Sequence, residues 1–437
     1  MSVMSLAALR PGASTVKAAV LSVTPGVFLA GLVWRSPGLF LEPRIWAEEG
    51  HLYLAPMRHL SVLRGLGLVV NGNYQLATNA IVEVARAVPP RDFAVVTTYL
   101  SLLVSLAACY MLGRTLVARG LPVLVGVAAA AMMSLVAAGY EVYLNATNVQ
   151  WTCSLVALLI CLSEQVPAGS VTAVLRFGLL AVCGLTGLPS CILAPVFLAG
   201  ALRRRSAYGW VLVAVIAAAS CVQLGIVLAH RGEIARPFNL TWMTTAALSL
   251  HAAFGPFLPA VSVDGLGVSM GDPIHASQLA MQGGLVLALV GLVAWESLGP
   301  GLTLGLIGAA VWASLVNEVG ALDTIAGLMS GVGGGRYFFL AGCCVAILLA
   351  AGLASPVRAM RAIAGVMVAL ILCNGVLEAR EAGWTRMFLT GPSHAAQVDA
   401  CRPGAPCTVR EWPLHANLWV TVDGPQGSPS GDHPSSP

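Results

Sequence analysis

Residues 44–60 read Arg-Ile-Trp-Ala-Glu-Glu-Gly-His-Leu-Tyr-Leu-Ala-Pro-Met-Arg-His-Leu, and they begin shortly after the first long apolar segment of the chain. Two adjacent carboxylates, Glu48 and Glu49, stand beside His51 and Tyr53. Only 10% of the residues are charged, so an acidic pair at the edge of an apolar segment needs a reason. A helix through this stretch puts Glu48 and His51 on one face, and Glu49 and Tyr53 on the next. A solvated loop helix is the plain reading. The sharper one is a catalytic or metal-binding acid pair at the mouth of a membrane cavity.

The surroundings decide the class. Of 437 residues, 57% are hydrophobic, and the mean hydropathy is +0.83. Soluble domains are about 45–50% apolar and about 25% charged. The expected fold class is an all-α polytopic membrane protein. A net charge of +4 gives no basis for nucleic-acid binding. The chain has neither a phosphate-cradling GxxxxGK loop nor a dinucleotide fingerprint.

An apolar span needs about 20 residues to cross the hydrocarbon core. Working outward from 44–60, about eleven spans are expected: 17–34, 93–113, 121–139, 151–163, 174–187, 190–202, 209–229, 282–297, 301–319, 336–354 and 362–378. The first reads as an anchor, not a cleaved signal. Gly187-Leu188-Pro189-Ser190 breaks one apolar block. The organisation is then a membrane domain over 1–378, with outer loops 35–92 and 230–281. A small extracytoplasmic tail follows over 379–425, and a disordered Pro-, Gly- and Ser-rich end over 426–437. In the first loop, 45–60 and 74–88 have the spacing of interfacial helices. In the second, 240–260, with Trp242 and His251, reads as interfacial or re-entrant.

Orientation follows from the short loops. Arg10, Lys17, Arg114, Arg119, Arg176, Arg203, Arg204, Arg205, Arg358 and Arg361 fall on one side, with only Glu164 and Glu296 against them. That leaves 19 − 2 = 17 acidic residues for the other side. Short basic loops face the cytoplasm. The N-terminus is therefore expected inside and the C-terminus outside. The Ala-, Gly- and Val-rich composition points to a bacterial inner membrane.

Polar groups gather at the outer ends of spans, where ionisable residues often line a cavity. They are Glu48, Glu49, His51 and Tyr53; Glu141, Asn145, Asn148, Gln150 and Trp151; His230 and Arg231; Asn317, Glu318 and Asp323; and Arg336 with Tyr337. Arg336 follows the run Gly331-Val332-Gly333-Gly334-Gly335, and a guanidinium after a flexible backbone suits a phosphate. Interface anchoring is the alternative for Trp151 and Tyr337. Glu49 and His51 are also candidate ligands for a divalent metal, Mg or Mn, although spacing fixes no third ligand. Most of the 11 cysteines lie in spans as packing groups. Cys401 and Cys407 lie in the outer tail, where an oxidising compartment favours a disulfide.

These residues resemble the GT-C superfamily, membrane glycosyltransferases that use polyprenyl-phosphate-linked sugars. The run Glu48-Glu49-Gly50-His51-Leu52 is similar to the acidic-acidic-x-His-aromatic run of protein O-mannosyltransferases, with Glu where that family has Asp. The 145–151 and Arg336-Tyr337 stretches look like motifs of bacterial members. The resemblance implies Glu48 as base, Glu49 as second carboxylate, and Arg336 and Tyr337 at the donor phosphate. It implies a membrane-lipid donor and a glycan, lipid or protein acceptor in envelope synthesis. A secondary transporter or lipid-linked sugar flippase would carry a similar number of spans. It should show internal repeats and midplane charges; no repeat is visible, and the charges lie at span edges. A non-catalytic assembly protein of an envelope polysaccharide system is the third class.

Overall fold

A computed structural model describes residues 13–135, 141–163, 169–231, 242–258, 273–319, 334–381, 391–412 and 418–423. Asp323, most of the Gly-rich run before Arg336, much of the loop expected over 230–281 and the end over 426–437 lie outside these residues.

The chain is mostly helical. Among the described residues, six helices are long and apolar enough to cross a membrane: Pro90–Ala118, Ala207–Ala229, Ile274–Leu298, Pro300–Glu318, Gly335–Gly352 and Arg358–Ala379. Other expected spans coincide with shorter apolar helices, Val23–Arg35, Val123–Leu135, Val149–Leu162 and Ser170–Gly184. The expected Gly-Pro break is present. Gly187 takes φ +91° and starts the short Leu188–Cys191 helix, between Ser170–Gly184 and Ala194–Arg204.

Two helices form the centre. Phe339–Gly352 is buried at every position, and Val149–Leu162 at every position but Gln150. A helix apolar on all sides belongs inside a bundle. Phe339–Gly352 packs against Pro273–Leu298, Pro300–Val319, Val123–Leu135 and Arg358–Glu381. Val149–Leu162 packs against Phe93–Ala118, Ser170–Gly184 and Leu188–Cys191. The outer helices turn Leu224, Leu228, Leu285, Leu292, Val366 and Leu370 outward, each more than half exposed. That is the surface lipid requires.

Val149–Leu162 spans only about 21 Å at 1.5 Å per residue, so its last carbonyls end among neighbouring groups. Arginines satisfy them. Arg204 donates to Cys161 O and, at 3.4 Å, to Ser163 O, while Arg119 donates to Leu162 O. Guanidinium groups at a helix C-terminus also complement its dipole.

The loop after the first apolar helix departs from a regular helix over 45–60. Glu49–Leu54 winds as a single π-helical turn, which Ala55–Met57 continues. Leu76–Ala85 supplies the second expected helix of this loop. The tail departs further. It holds a helix, His394–Asp399, and an antiparallel hairpin of Pro406–Arg410 with Trp419–Asp423, joined by a Cys401–Cys407 disulfide whose Cα atoms are 5.8 Å apart. This tail docks on the first loop. Trp412 N donates to Ile45 O at 2.8 Å, and Ala47 N donates to Trp412 O. Arg58 donates to Thr421 O, and Arg44 to Gly391 O at 2.9 Å. A ring nitrogen of His394 meets Pro90 O at 2.7 Å.

Candidate functional site

The π-turn sends the two adjacent carboxylates in different directions. Glu49 is fully buried. One oxygen accepts from Trp46 N at 3.0 Å and from the Thr97 hydroxyl at 3.4 Å; the other accepts from Ala146 N. The side chain therefore ties the first loop to the 141–148 loop. Burial lifts its carboxyl from an ordinary 4.5 to about 7, against the opposing pull of the Trp46 and Ala146 amides.

His51 turns toward the tail, with Nδ1 2.7 Å from Glu411 Oε2. Glu411, directly after the first hairpin strand, has a completely buried side chain. Burial raises its carboxyl to about 7, and Glu48 adds to the rise while His51 opposes it. The expected Glu49–His51 metal pair is thus not formed, because both side chains are committed to different partners. Among the described residues, no group of three His, Cys, Asp or Glu side chains is placed to share a metal ion. The described residues around Glu49 and His51 do not fit the expected divalent cation.

Glu48 instead lines a cavity of about 630 Å³. Of the expected residues, Glu48, Tyr53, Asn148, Gln150, Trp151, Arg231, Asn317, Arg336 and Tyr337 all line it. Glu49, His51, Glu141, Asn145, His230 and Glu318 do not. Asn145 is a buried turn residue that donates to Glu141 O at 2.8 Å and accepts from Asn148 N at 3.0 Å. His230 caps the Ala207–Ala229 helix through its backbone.

Arg336 sits in the one-turn 3₁₀ segment Gly335–Phe338, entered through Gly334 at φ +70°. Its guanidinium pairs with Glu141 at 3.3 Å and lies 5.2 Å from the Tyr337 ring centre. Tyr337 meets Trp151 edge-to-face at 5.4 Å, and its carbonyl accepts from Asn317 at 3.3 Å. Glu48 is within electrostatic reach of Arg336. Tyr53 is buried at the wall; burial, then Glu48 and Glu49, push its phenol upward, so it is a neutral hydroxyl.

Several lining residues escaped the sequence reading. Asn73, Gln75 and Thr147 add polar groups, and Leu188, Ile192, Leu224, Val227 and Leu228 form an apolar wall. Asn73 follows the Asn71-Gly72 turn of a two-residue hairpin with Val70, and nothing local marks it as facing a cavity. Glu411 lies in a stretch read as a plain tail, and only the docking of that tail brings it to His51. The arrangement offers one carboxylate, two guanidinium groups, several amides and an apolar flank. No family model, curated protein or solved structure matches the chain.

Proposed function

We propose that this chain is a membrane glycosyltransferase of the GT-C type. In this reading it moves a sugar from a polyprenyl-phosphate donor to an extracytoplasmic glycan, lipid or protein acceptor. The observation that carries the reading is the convergence of Glu48 and Arg336, far apart in the sequence, on one cavity with an apolar flank. Transfer from a lipid phosphate needs a base on the acceptor hydroxyl and charge stabilisation on the departing phosphate. Glu48 takes the acceptor proton. Arg336, held by Glu141 and backed by Tyr337, meets the phosphate with two parallel N–H groups. Arg231 adds a second positive charge at the rim. The polyprenyl chain lies along Leu224, Val227 and Leu228, whose helix also faces lipid.

Glu49 has a positioning role here. Its bonds to Trp46 and Ala146 fix the turn that presents Glu48. The proposal includes about eleven spans in a bacterial inner membrane, the N-terminus cytoplasmic and the cavity and tail outside. The testing experiment is consumption of polyprenyl-phosphate-linked sugars by the purified protein in lipid nanodiscs, with transfer to an added acceptor fraction. Transport of the intact donor without cleavage of its sugar–phosphate bond would replace this reading with the flippase.

A further inference from the structure

The bundle has a second cavity, of about 460 Å³, at the end away from Glu48. Tyr337, just before the central helix Phe339–Gly352, lines the first cavity, whereas Ser355, just after it, lines the second. Three further helix ends meet there. Phe93–Ala118 brings Arg119, Pro273–Leu298 brings Glu296 and Ser297, and Arg358–Glu381 brings Arg361 in its first turn. The volume falls within the ordinary range of ligand sites, about 300–1,000 Å³.

The charges in this cavity do not satisfy one another. Arg361 donates its Nε to Ser355 O at 3.1 Å, and Ser355 Oγ in turn accepts from Val357 N at 3.3 Å. Ser355 is fully buried, so this bond anchors the base of the guanidinium. The two terminal nitrogens of Arg361 have no protein partner among the described residues. Arg119 donates to Leu162 O and presents its remaining edge to the same space. Glu296 is exposed in the last turn of its helix and forms no ion pair with either arginine. Opposite charges that line one cavity and stand apart suit a ligand carrying both signs. Its anion would meet the guanidinium groups and its cation the carboxylate, each through charge-assisted hydrogen bonds.

The flanking surface points to a lipid. Leu285, Leu289 and Leu292 precede Glu296 by eleven, seven and four residues and share its helix face. They are 65%, 38% and 52% exposed, so an apolar row leads along the helix to the carboxylate. Acyl chains would follow that row. Basic pockets between helix ends at a membrane surface are suited to phosphate headgroups, and Glu296 narrows the choice. A glycerol headgroup satisfies the arginines and leaves its phosphate charge facing the carboxylate. A choline headgroup has no N–H to donate. A primary ammonium donates three.

We propose that this cavity binds the headgroup of phosphatidylethanolamine, with the phosphodiester at Arg361 and Arg119 and the ammonium at Glu296. The site requires the helices to stand in a bilayer. It is independent of glycosyl transfer, since none of its residues lines the cavity that holds Glu48.

The test uses the full-length protein, purified in detergent and stripped of lipid. It is given equimolar phosphatidylethanolamine, phosphatidylglycerol and phosphatidylcholine, and native mass spectrometry reads the lipid retained. Wild type should retain phosphatidylethanolamine about 10-fold over either competitor, the scale of one charge-assisted hydrogen bond. Glu296→Gln should erase that preference and bring phosphatidylglycerol level or ahead. Arg361→Gln should cut retention of all three lipids roughly 10-fold. Glu296 is exposed at a helix end, so its variant decides the matter even where Arg361→Gln folds poorly. Water-soluble glycerophosphoethanolamine at the same concentration should not displace the lipid; displacement would assign the cavity to a free phosphodiester and overturn the lipid. Equal retention of the three lipids by wild type, or a preference for phosphatidylglycerol, would also overturn the proposal. So would a phosphatidylethanolamine preference undiminished in Glu296→Gln, or retention undiminished in a folded Arg361→Gln. Loss of sugar transfer in an activity assay bears on the enzyme reading alone and leaves this result as it stands.

Discussion

At the scale of single residues, two neighbouring glutamates with the same chemistry have been given different work by one π-turn. Glu48 reaches the cavity, so Glu48→Gln should abolish sugar transfer while donor binding survives. Loss of a general base typically costs about 10²–10⁴ in rate, and a transfer assay on the purified variant reads it; undiminished transfer would remove Glu48 as base. Arg336→Lys keeps the charge and loses the paired N–H groups, so donor affinity should fall roughly 10-fold, consistent with a lost charge-assisted hydrogen bond. Unchanged affinity would reduce Arg336 to a brace for Glu141. Glu49 should respond differently from Glu48. Its amide variant turns a donor toward the Trp46 N–H, so Glu49→Gln should destabilise the fold by about 1–3 kcal/mol. The pH behaviour separates the two further. Burial lifts the folded Glu49 carboxyl to about 7, above its ordinary 4.5. The folded state thus binds this proton more tightly than the unfolded state, so stability gains as pH falls from 7 toward 4.5 and the penalty is complete above 7. Melting measured across that window should lose part of its slope in Glu49→Gln, and an unchanged slope would assign the effect to Glu411, which titrates in the same range.

At the scale of elements, apolar pattern was legible and polar docking was not. The spans 209–229, 301–319 and 362–378 stand out in the sequence because lipid enforces a long apolar run. The Gly187-Leu188-Pro189 break is equally legible, since a left-handed φ and a missing N–H leave the backbone few choices. The tail gave no such signal. Its hairpin strands are only five residues each, too short for their pattern to stand out, and what orders them is a long-range contact: Trp412, 1% exposed, seated between Ile45 and Ala47. Residue 44–60 periodicity misled for a related reason. An α-helical reading pairs Glu48 with His51, whereas the π-turn and the hairpin above it take His51 away to Glu411. Trp412→Ala should therefore loosen the first loop at a distance in sequence. Truncating a buried Trp costs about 3–5 kcal/mol, enough to undock a small hairpin without unfolding the bundle. Hydrogen exchange over 44–58 should accelerate in that variant, with exchange over Phe339–Gly352 unaltered. Protection of 44–58 equal to wild type would make the hairpin a bystander.

At the scale of the whole molecule, the cavity was legible as a set of residue types and illegible as a shape. Glu48, Gln150, Trp151, Arg231, Arg336 and Tyr337 stand out because charge and amide are scarce in this chain and sit at span edges. The apolar flank could not be told from any other lipid-facing leucines, and Asn73 and Thr147 become wall residues only once Val149–Leu162 is placed in the centre. Charge placement is the remaining global feature, and it bears on which side of the membrane the cavity opens. Arg119 and Arg204 meet at the C-terminal end of the Val149–Leu162 helix, whereas Gln150 and Trp151, at its other end, line the cavity. The basic cluster and the cavity therefore lie at opposite ends of one central helix. If short basic loops stay in the cytoplasm, the cavity and the docked tail face outward. Arg205 and Asp399 report on the two ends: Arg205 is exposed just past Ala194–Arg204, and Asp399 is exposed on the tail helix. In intact cells, a cysteine at Asp399 should react with a membrane-impermeant maleimide, and one at Arg205 should react only after the membrane is opened. The native thiols at Cys221 and Cys373 are exposed on lipid-facing helices and set the background. Labelling of position 205 in sealed cells, with protection of 399, would invert the protein and place the acid pair on the cytoplasmic side.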